Sequence, residues 1–211
     1  MANSDREPLS REAVLAAARR RVVRHGLGAL SLRQVARDLG VTAPALYAYV
    51  ASKDALVRAL AEDELGRLLE RLEAIDDPDP LDRIRAMSRA YVEHARTHPA
   101  LFAVLFAFRP DWVSAPVEEL PAATKAFRVA AGAVEEATAA GRLAPADPFT
   151  ASLTLWAAMH GVATLLAASP GFDTEAERRL VDEVVEVVLR GLGAGRPGAT
   201  DAGGGALSTG G

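Results

Sequence analysis

The chain has 211 residues, half of them hydrophobic and a quarter charged, with a formal net charge of −4 and no cysteine. That balance is ordinary for a globular protein with a sizeable core and leaves little room for extensive disorder. The missing cysteines exclude a disulfide framework, a thiolate metal site and a cysteine nucleophile. The charge is unevenly spread: residues 1–60 carry ten Lys or Arg against five Asp or Glu, net +5, and the remainder carries fourteen against twenty-three, net −9. A basic end on an acidic body suits one anionic partner docking at that end and repelled elsewhere. The N-terminus, MANSDREPLSREAV, lacks the basic-then-apolar order of a signal peptide, so a cytoplasmic protein is expected.

Ala, Leu, Arg and Glu dominate, apolar residues recur at three and four, and no period-two run stands between turns, which predicts an all-α fold. A first helix is expected over residues 10–25: Ser10 caps it, Glu12 suits its positive end, and Val14, Leu15, Ala18 and Val22 form one face before Gly26 and Gly28 end it. Short helices follow over 32–38 and 43–49. A longer one starts after Ser52 and reaches residue 72 or 75, where DDPDP stops it. Further helices are expected over 81–98, 100–108, 117–140 with Pro121 near the first turn, 148–168 and 174–192. From Gly193 onward, GAGRPGATDAGGGALSTGG is too poor in apolar residues to build a core and reads as a disordered tail.

SLRQVARDLGVTAPALYAYV, residues 31–50, carries the strongest local signal. Ser31 followed by Gln34 matches a capping box, Gly40 permits the turn out of the helix, Thr42 can cap the next one, and Pro44 sits where a missing N–H costs least. Val35, Ala36 and Leu39 can pack on Val41, Ala45 and Leu46 and hold the two helices at a fixed angle. This is a helix-turn-helix pattern, which occurs both in DNA readers and in purely structural hairpins. Around it, Tyr47 and Tyr49 end the short helix, Lys53 begins the next at its anion-favouring end, and Arg33, Gln34 and Arg37 add donors on the preceding helix.

Residues 10–60 resemble the DNA-binding domain of the TetR family of transcriptional regulators, through the first helix, the turn motif, and the pairing of Leu46-Tyr47 with Ser52-Lys53 in SKDALVRAL. Val50, where the family more often has an aromatic, and Tyr49, often a histidine there, depart from the pattern. The resemblance implies an N-terminal three-helix DNA-binding domain over 10–60 behind an arm at 1–9. It also implies a helical ligand-binding and dimerisation bundle over 61–192, ahead of the tail at 193–211. It implies a homodimer on double-stranded operator DNA, with Thr42, Ala43, Pro44 and Ala45 near base edges and Tyr47 and Lys53 gripping the backbone, and Ser31, Arg33, Gln34 and Tyr49 complete the candidate DNA-binding set. Ala43, Pro44 and Ala45 offer no hydrogen bonds, so discrimination falls to thymine methyls, Thr42 and DNA shape.

In the body, residues 149–172 contain no Asp, Glu, Lys or Arg. A membrane span is weighed against a helix buried on every side, and the interspersed Thr, Ser, His and Gly favour burial. The last helix carries valine and leucine over about 200° of its wheel, wider than one core needs, so Leu180, Val181, Val184, Val185 and Val188 are the candidate dimer interface. Trp156-x-x-x-His160-Gly161 is similar to the Trp-His-Gly signature of one C-terminal TetR subgroup, as is HPALFAVLF. Met87, Tyr91, Phe102, Phe106, Phe127, Trp156, Met159 and His160 are the candidate walls of a pocket for a small, mainly apolar, neutral effector. His94 and His98 lie four apart and could pair on a metal, but no third ligand is apparent, and adjacent Glu135 and Glu136 read as a solvated face. No cofactor, catalytic constellation or phosphate loop is expected. The expectation is a ligand-released repressor, against alternatives of a helical-bundle enzyme or an interaction scaffold.

Overall fold

The computed structural model describes residues 8–105, 121–169 and 171–194. Among them are nine α-helices and no strand: α1 Arg11–His25, α2 Leu32–Leu39, α3 Ala43–Leu46, α4 Lys53–Glu73, α5 Pro80–Thr97, α6 Pro99–Leu105, α7 Pro121–Ala139, α8 Pro148–Ala168 and α9 Thr174–Gly191, with a single 3-10 turn at Leu27–Ala29. The expected all-α fold is therefore the observed one. Phe106 and nearly all of the expected tail lie outside the described residues.

Local chemistry sets the helix starts. Ser10 accepts from the Ala13 amide, Ser52 from Ala55, Asp79 from Leu81, Asp147 from Thr150 and Asp173 from Ala176, each satisfying an orphan N–H of a first turn. Three of these caps are aspartates, whose charge also suits the positive end of the helix. Pro80 and Pro148 occupy first turns, where a proline costs least. α3 is shorter than expected: it ends at Leu46, and the Tyr49 and Val50 amides close back on the Leu46 carbonyl as a turn.

α4 runs unbroken through the expected domain boundary at residue 60. Its Leu56, Val57, Leu60, Ala61, Leu65, Leu68 and Leu72 are buried. α4 packs against α1, which contributes Val14, Ala17, Ala18 and Val22, and against α5, α6 and α7. Each buried leucine contributes about 2 kcal/mol of transfer free energy, so this one face organises both ends of the molecule. A charge at Leu65 would disrupt it. α5 is the central helix of the body, touching α4, α6, α7, α8 and α9.

Candidate functional site

At the basic end, Ser31 caps α2 by accepting from the Gln34 amide at 3.3 Å. The reciprocal half of the capping box is absent: Gln34 Oε1 accepts from Arg37 at 3.2 Å instead of reaching back to residue 31. Gly40 takes the left-handed conformation, φ +67°, which lets its amide close onto the Ala36 and Arg37 carbonyls and turns the chain sharply into α3. Thr42 occupies the N-cap position of α3 but its hydroxyl makes no capping bond, and the residue is exposed. Pro44, Tyr47, Arg33, Arg37 and Lys53 are also exposed, while Ser31, Gln34, Ala43 and Ala45 are half-buried. Tyr47 leaves 58% of its surface free.

Tyr49 departs from the expected set. It is half-buried, and its hydroxyl donates to the Leu9 carbonyl at 2.7 Å, fastening the start of the chain to the end of α3. A phenol has one proton to give, and here a carbonyl takes it. Arg21, which sequence reasoning passed over, orients the same unit: its Nε donates to the Ala29 carbonyl at 3.1 Å and a terminal nitrogen to Asp38 at 2.7 Å, tying α1 to α2 across the turn.

A buried ionic link joins this end to the body. Glu64 of α4, 1% exposed, is bonded by the Arg19 guanidinium of α1, and His94 of α5 brings Nε2 to 3.0 Å from its other oxygen, off the line of a good hydrogen bond. Burial pushes the Glu64 carboxyl up, but His94 and Arg19 outweigh it and hold it below the usual carboxylate range. His94 is therefore no surface histidine and is not directed toward a metal shared with His98. Among the described residues no group of three or more His, Asp or Glu side chains could hold a metal.

Above the link lies a cavity of about 460 Å³, walled by Leu65, Leu68 and Leu72 of α4, by Ile84, Met87, Ser88 and Tyr91 of α5, and by segments of α7 and α8. This is within the roughly 300–1,000 Å³ typical of small-molecule sites. Met87, Tyr91, Phe127, Trp156 and Met159 are brought to its wall as expected, whereas Phe102 and His160 are not lining residues. Those two stand behind the wall. Trp156 stacks on His160 at 5.5 Å and 11°, Phe102 packs edge-on to Tyr91 at 5.7 Å, and Tyr91 Oη lies 3.2 Å from His160 Nδ1. Burial pushes the Tyr91 phenol up and the His160 imidazole down, so both are neutral near pH 7 and share a hydrogen bond between Oη and Nδ1. Phe127 and Phe149 meet edge to face at 5.8 Å, and Phe149 is more than half exposed, which places an aromatic pair at the mouth.

Both ends match known families. Residues 14–60 match the model of the bacterial regulatory proteins of the tetR family, and residues 84–192 match a tetracyclin repressor-like C-terminal domain. The uncharacterized HTH-type transcriptional regulator Rv0681 of Mycobacterium tuberculosis is 30% identical over 182 residues, covering 85% of this chain and 80% of that protein. This chain belongs to the TetR family. A second relative, the HTH-type transcriptional regulator Rv1816 of the same species, is 35% identical over 127 residues, 58% of this chain, and the match spans about half the relative's length, 53%. A solved protein of unknown function from Rhodococcus sp. RHA1 superimposes with a TM-score of 0.76 at 30% identity, covering 90% of this chain and 99% of that one. The TetR family is one of regulators and not of enzymes.

In this TetR-family chain the last two helices each show two faces. Val181, Val185 and Leu189 of α9 are buried within the protomer, which removes Val181 and Val185 from the surface open to a second chain. Leu180, Val184 and Val188 are half-buried and Val187 is 54% exposed, so the outward stripe lies beside the one expected. The wheel width showed that a second face exists but not which valines form it. Arg85 and Arg89 of α5 pair with Glu186 and Asp182 of α9, fixing the helix rotation. α8 is long and apolar enough to cross a membrane by length and composition, yet Ala151, Leu155, Met159, Val162, Ala163 and Leu166 pack inward. Its outward side presents Ala157, Gly161, Thr164, Leu165 and Ala168, small or uncharged throughout.

Proposed function

We propose that this chain is a cytoplasmic transcriptional repressor that binds a palindromic operator in double-stranded DNA as a homodimer and releases it when a small, mainly apolar effector fills the cavity. The division is that read from the sequence: an arm at 1–9, a DNA-binding module over 10–60, a body over 61–192 and a tail at 193–211. Thr42, Ala43, Pro44 and Ala45 face base edges, while Tyr47, Lys53, Arg33 and neighbouring donors hold phosphates. Gln34 and Ser31 set the angle of the unit. Tyr49 serves through the Leu9 tether, positioning the arm. The body is of the Trp-His-Gly type, its Trp156–His160 stack closing one end of the cavity.

The observation that carries this reading is the span of α4. One unbroken helix of 21 residues, about 31 Å long at 1.5 Å per residue, begins at Lys53 beside the turn and places Leu65, Leu68 and Leu72 in the cavity wall. A ligand that displaces the wall moves Lys53 directly and moves α1 through Glu64 and Arg19. Relief of repression requires only differential affinity: a hundredfold loss of DNA binding needs about 2.7 kcal/mol of preference for the releasing conformation. The outward faces of α8 and α9 offer Leu165 and Val187, the latter beside the exposed Glu183–Arg190 pair, as a surface for a second copy, and a four-helix contact there sets the spacing of the paired α3 helices.

Selection of duplexes from a random pool, followed by sedimentation of the complex, tests the proposal. The expected result is a palindromic sequence with two chains per duplex. Recovery of no sequence above background, or of one chain per site, would contradict it.

A further inference from the structure

The cavity floor holds one polar group that the protein does not use. Ser88 of α5 is 5% exposed and lines the cavity. Four other helical hydroxyls are spent on their own backbone: Thr97 donates to Glu93, Thr138 to Val134, Ser152 to Pro148 and Thr154 to Thr150, all within 2.8 Å. Ser88 makes no such bond among the described residues. The cavity's other buried polar groups are committed, Ser152 to the Pro148 carbonyl and Tyr91 to His160. A hydroxyl that opens onto a cavity without a bond to the protein is free to bond a ligand, which gains that hydrogen bond on binding.

Charge on the walls narrows the ligand further. Arg128 and Glu135 of α7 are the ionised residues that line the cavity, and both are exposed. They stand at the rim with opposite sign. Apart from those two the lining carries no ionised group: Ile84, Met87, Leu65, Leu68 and Met159 offer no counter-charge, and Tyr91 and Ser152 are neutral groups already bonded. A carboxylate or ammonium carried to the floor would lose its hydration uncompensated.

We propose that the cavity takes an uncharged amphiphile, an apolar body bearing one hydroxyl or carbonyl at its inner end, and that Ser88 is the specificity-determining residue that bonds it. The assignment rests on the reading of this cavity as the effector site, and the polar end of the ligand points inward, away from the Phe127–Phe149 mouth. An alcohol or a ketone satisfies Ser88 equally, since a serine hydroxyl both donates and accepts.

The test titrates the full chain with four probes of equal chain length, 1-octanol, octane, octanoate and octylammonium, following thermal shift and tryptophan emission. 1-Octanol should bind at least about tenfold more tightly than either ion. Ser88→Ala should weaken 1-octanol about fivefold, the size of one neutral hydrogen bond, and leave octane unchanged, while Ser88→Thr keeps the preference. The proposal is overturned if an ion binds as well as the alcohol, if Ser88→Ala leaves 1-octanol unaffected or weakens octane equally, or if none of the four binds. Alcohol binding that depends on Ser88 but leaves DNA affinity untouched keeps the ligand assignment and sinks the effector reading.

Discussion

The two ends of the molecule are built by opposite rules. At the basic end the side chains proposed to meet DNA, Tyr47, Thr42, Pro44 and Lys53, are exposed and come from 12 consecutive residues, with the turn at Gly40 just before them. In the body the proposed effector site draws on four helices, so that Leu65 and Ser88, both buried, and Phe127 and Trp156, both half-buried, meet only after folding. Function at the first end is therefore separable from stability, and function at the second is not. Glu64 sits where the two rules meet, a buried charge with one partner from each end.

Substitution there tests the separation most severely. Glu64→Ala takes the shared carboxylate from His94 and leaves Arg19 only Asp63, 3.7 Å away, and should cost about 3 kcal/mol of stability. Denaturant unfolding should show a lower midpoint, and an unchanged midpoint would mean the link is not what joins the two ends. The sign with pH is fixed: the Glu64 carboxyl is held below its usual value, so its contribution is present above that value and is lost as pH falls through the depressed one.

Next in size is the second face of α9. Val187→Asp places a charge on the outward stripe without touching the protomer core, and dimerisation should weaken by about 3 kcal/mol, more than a hundredfold, with the fold kept. Val185→Asp should instead unfold the chain, because that side chain is 1% exposed. Sedimentation with circular dichroism separates the two outcomes, and a Val187→Asp chain that stays dimeric would move the interface elsewhere.

Tyr47→Phe sharpens the contrast from the other end. The ring is 58% exposed, so melting should not change, while loss of a phosphate hydrogen bond should weaken DNA binding by about 1.5 kcal/mol, roughly tenfold. Tyr49→Phe should do the reverse in kind, loosening the Leu9 tether and affecting stability before affinity.

The smallest effect concerns acidity in the body. Burial lowers the His160 pKa from its ordinary 6.5, so the stability of the neutral ring is full above that value and is lost as pH falls through the folded pKa. Protonation of the ring disturbs its hydrogen bond to the Tyr91 hydroxyl and should modestly weaken 1-octanol binding as pH falls through the lowered pKa. The His160→Gln chain should show a flatter dependence, and an equally steep one would assign the change to another group.

Legibility in the sequence followed the same division. Ser10, Ser31 and Ser52 as caps, Gly40 at the turn and the prolines of first turns could be read because each acts within four residues. Arg19 with Glu64, 45 positions apart, could not, since no spacing announces a contact made through packing. Tyr49 was misjudged for a related reason: its neighbour Tyr47 does point outward, and only the path of the chain back to Leu9 decides which phenol is free. On α9 the even run of valines carries no mark distinguishing core from interface. In the cavity, residue type identified Met87, Phe127 and Trp156, while Ser88 was overlooked because a lone serine on a helix ordinarily bonds its own backbone.

The central claim is that the exposed, basic end grips DNA through its backbone while the acidic body stays clear. Its most direct measurement is the salt dependence of binding to a selected duplex. If a dimer neutralises about eight phosphates, log K should fall against log salt with a slope of about −7, and Lys53→Ala, which removes one contact per chain, should flatten it to about −5. A slope near zero, or one that Lys53→Ala leaves unchanged, would contradict the account.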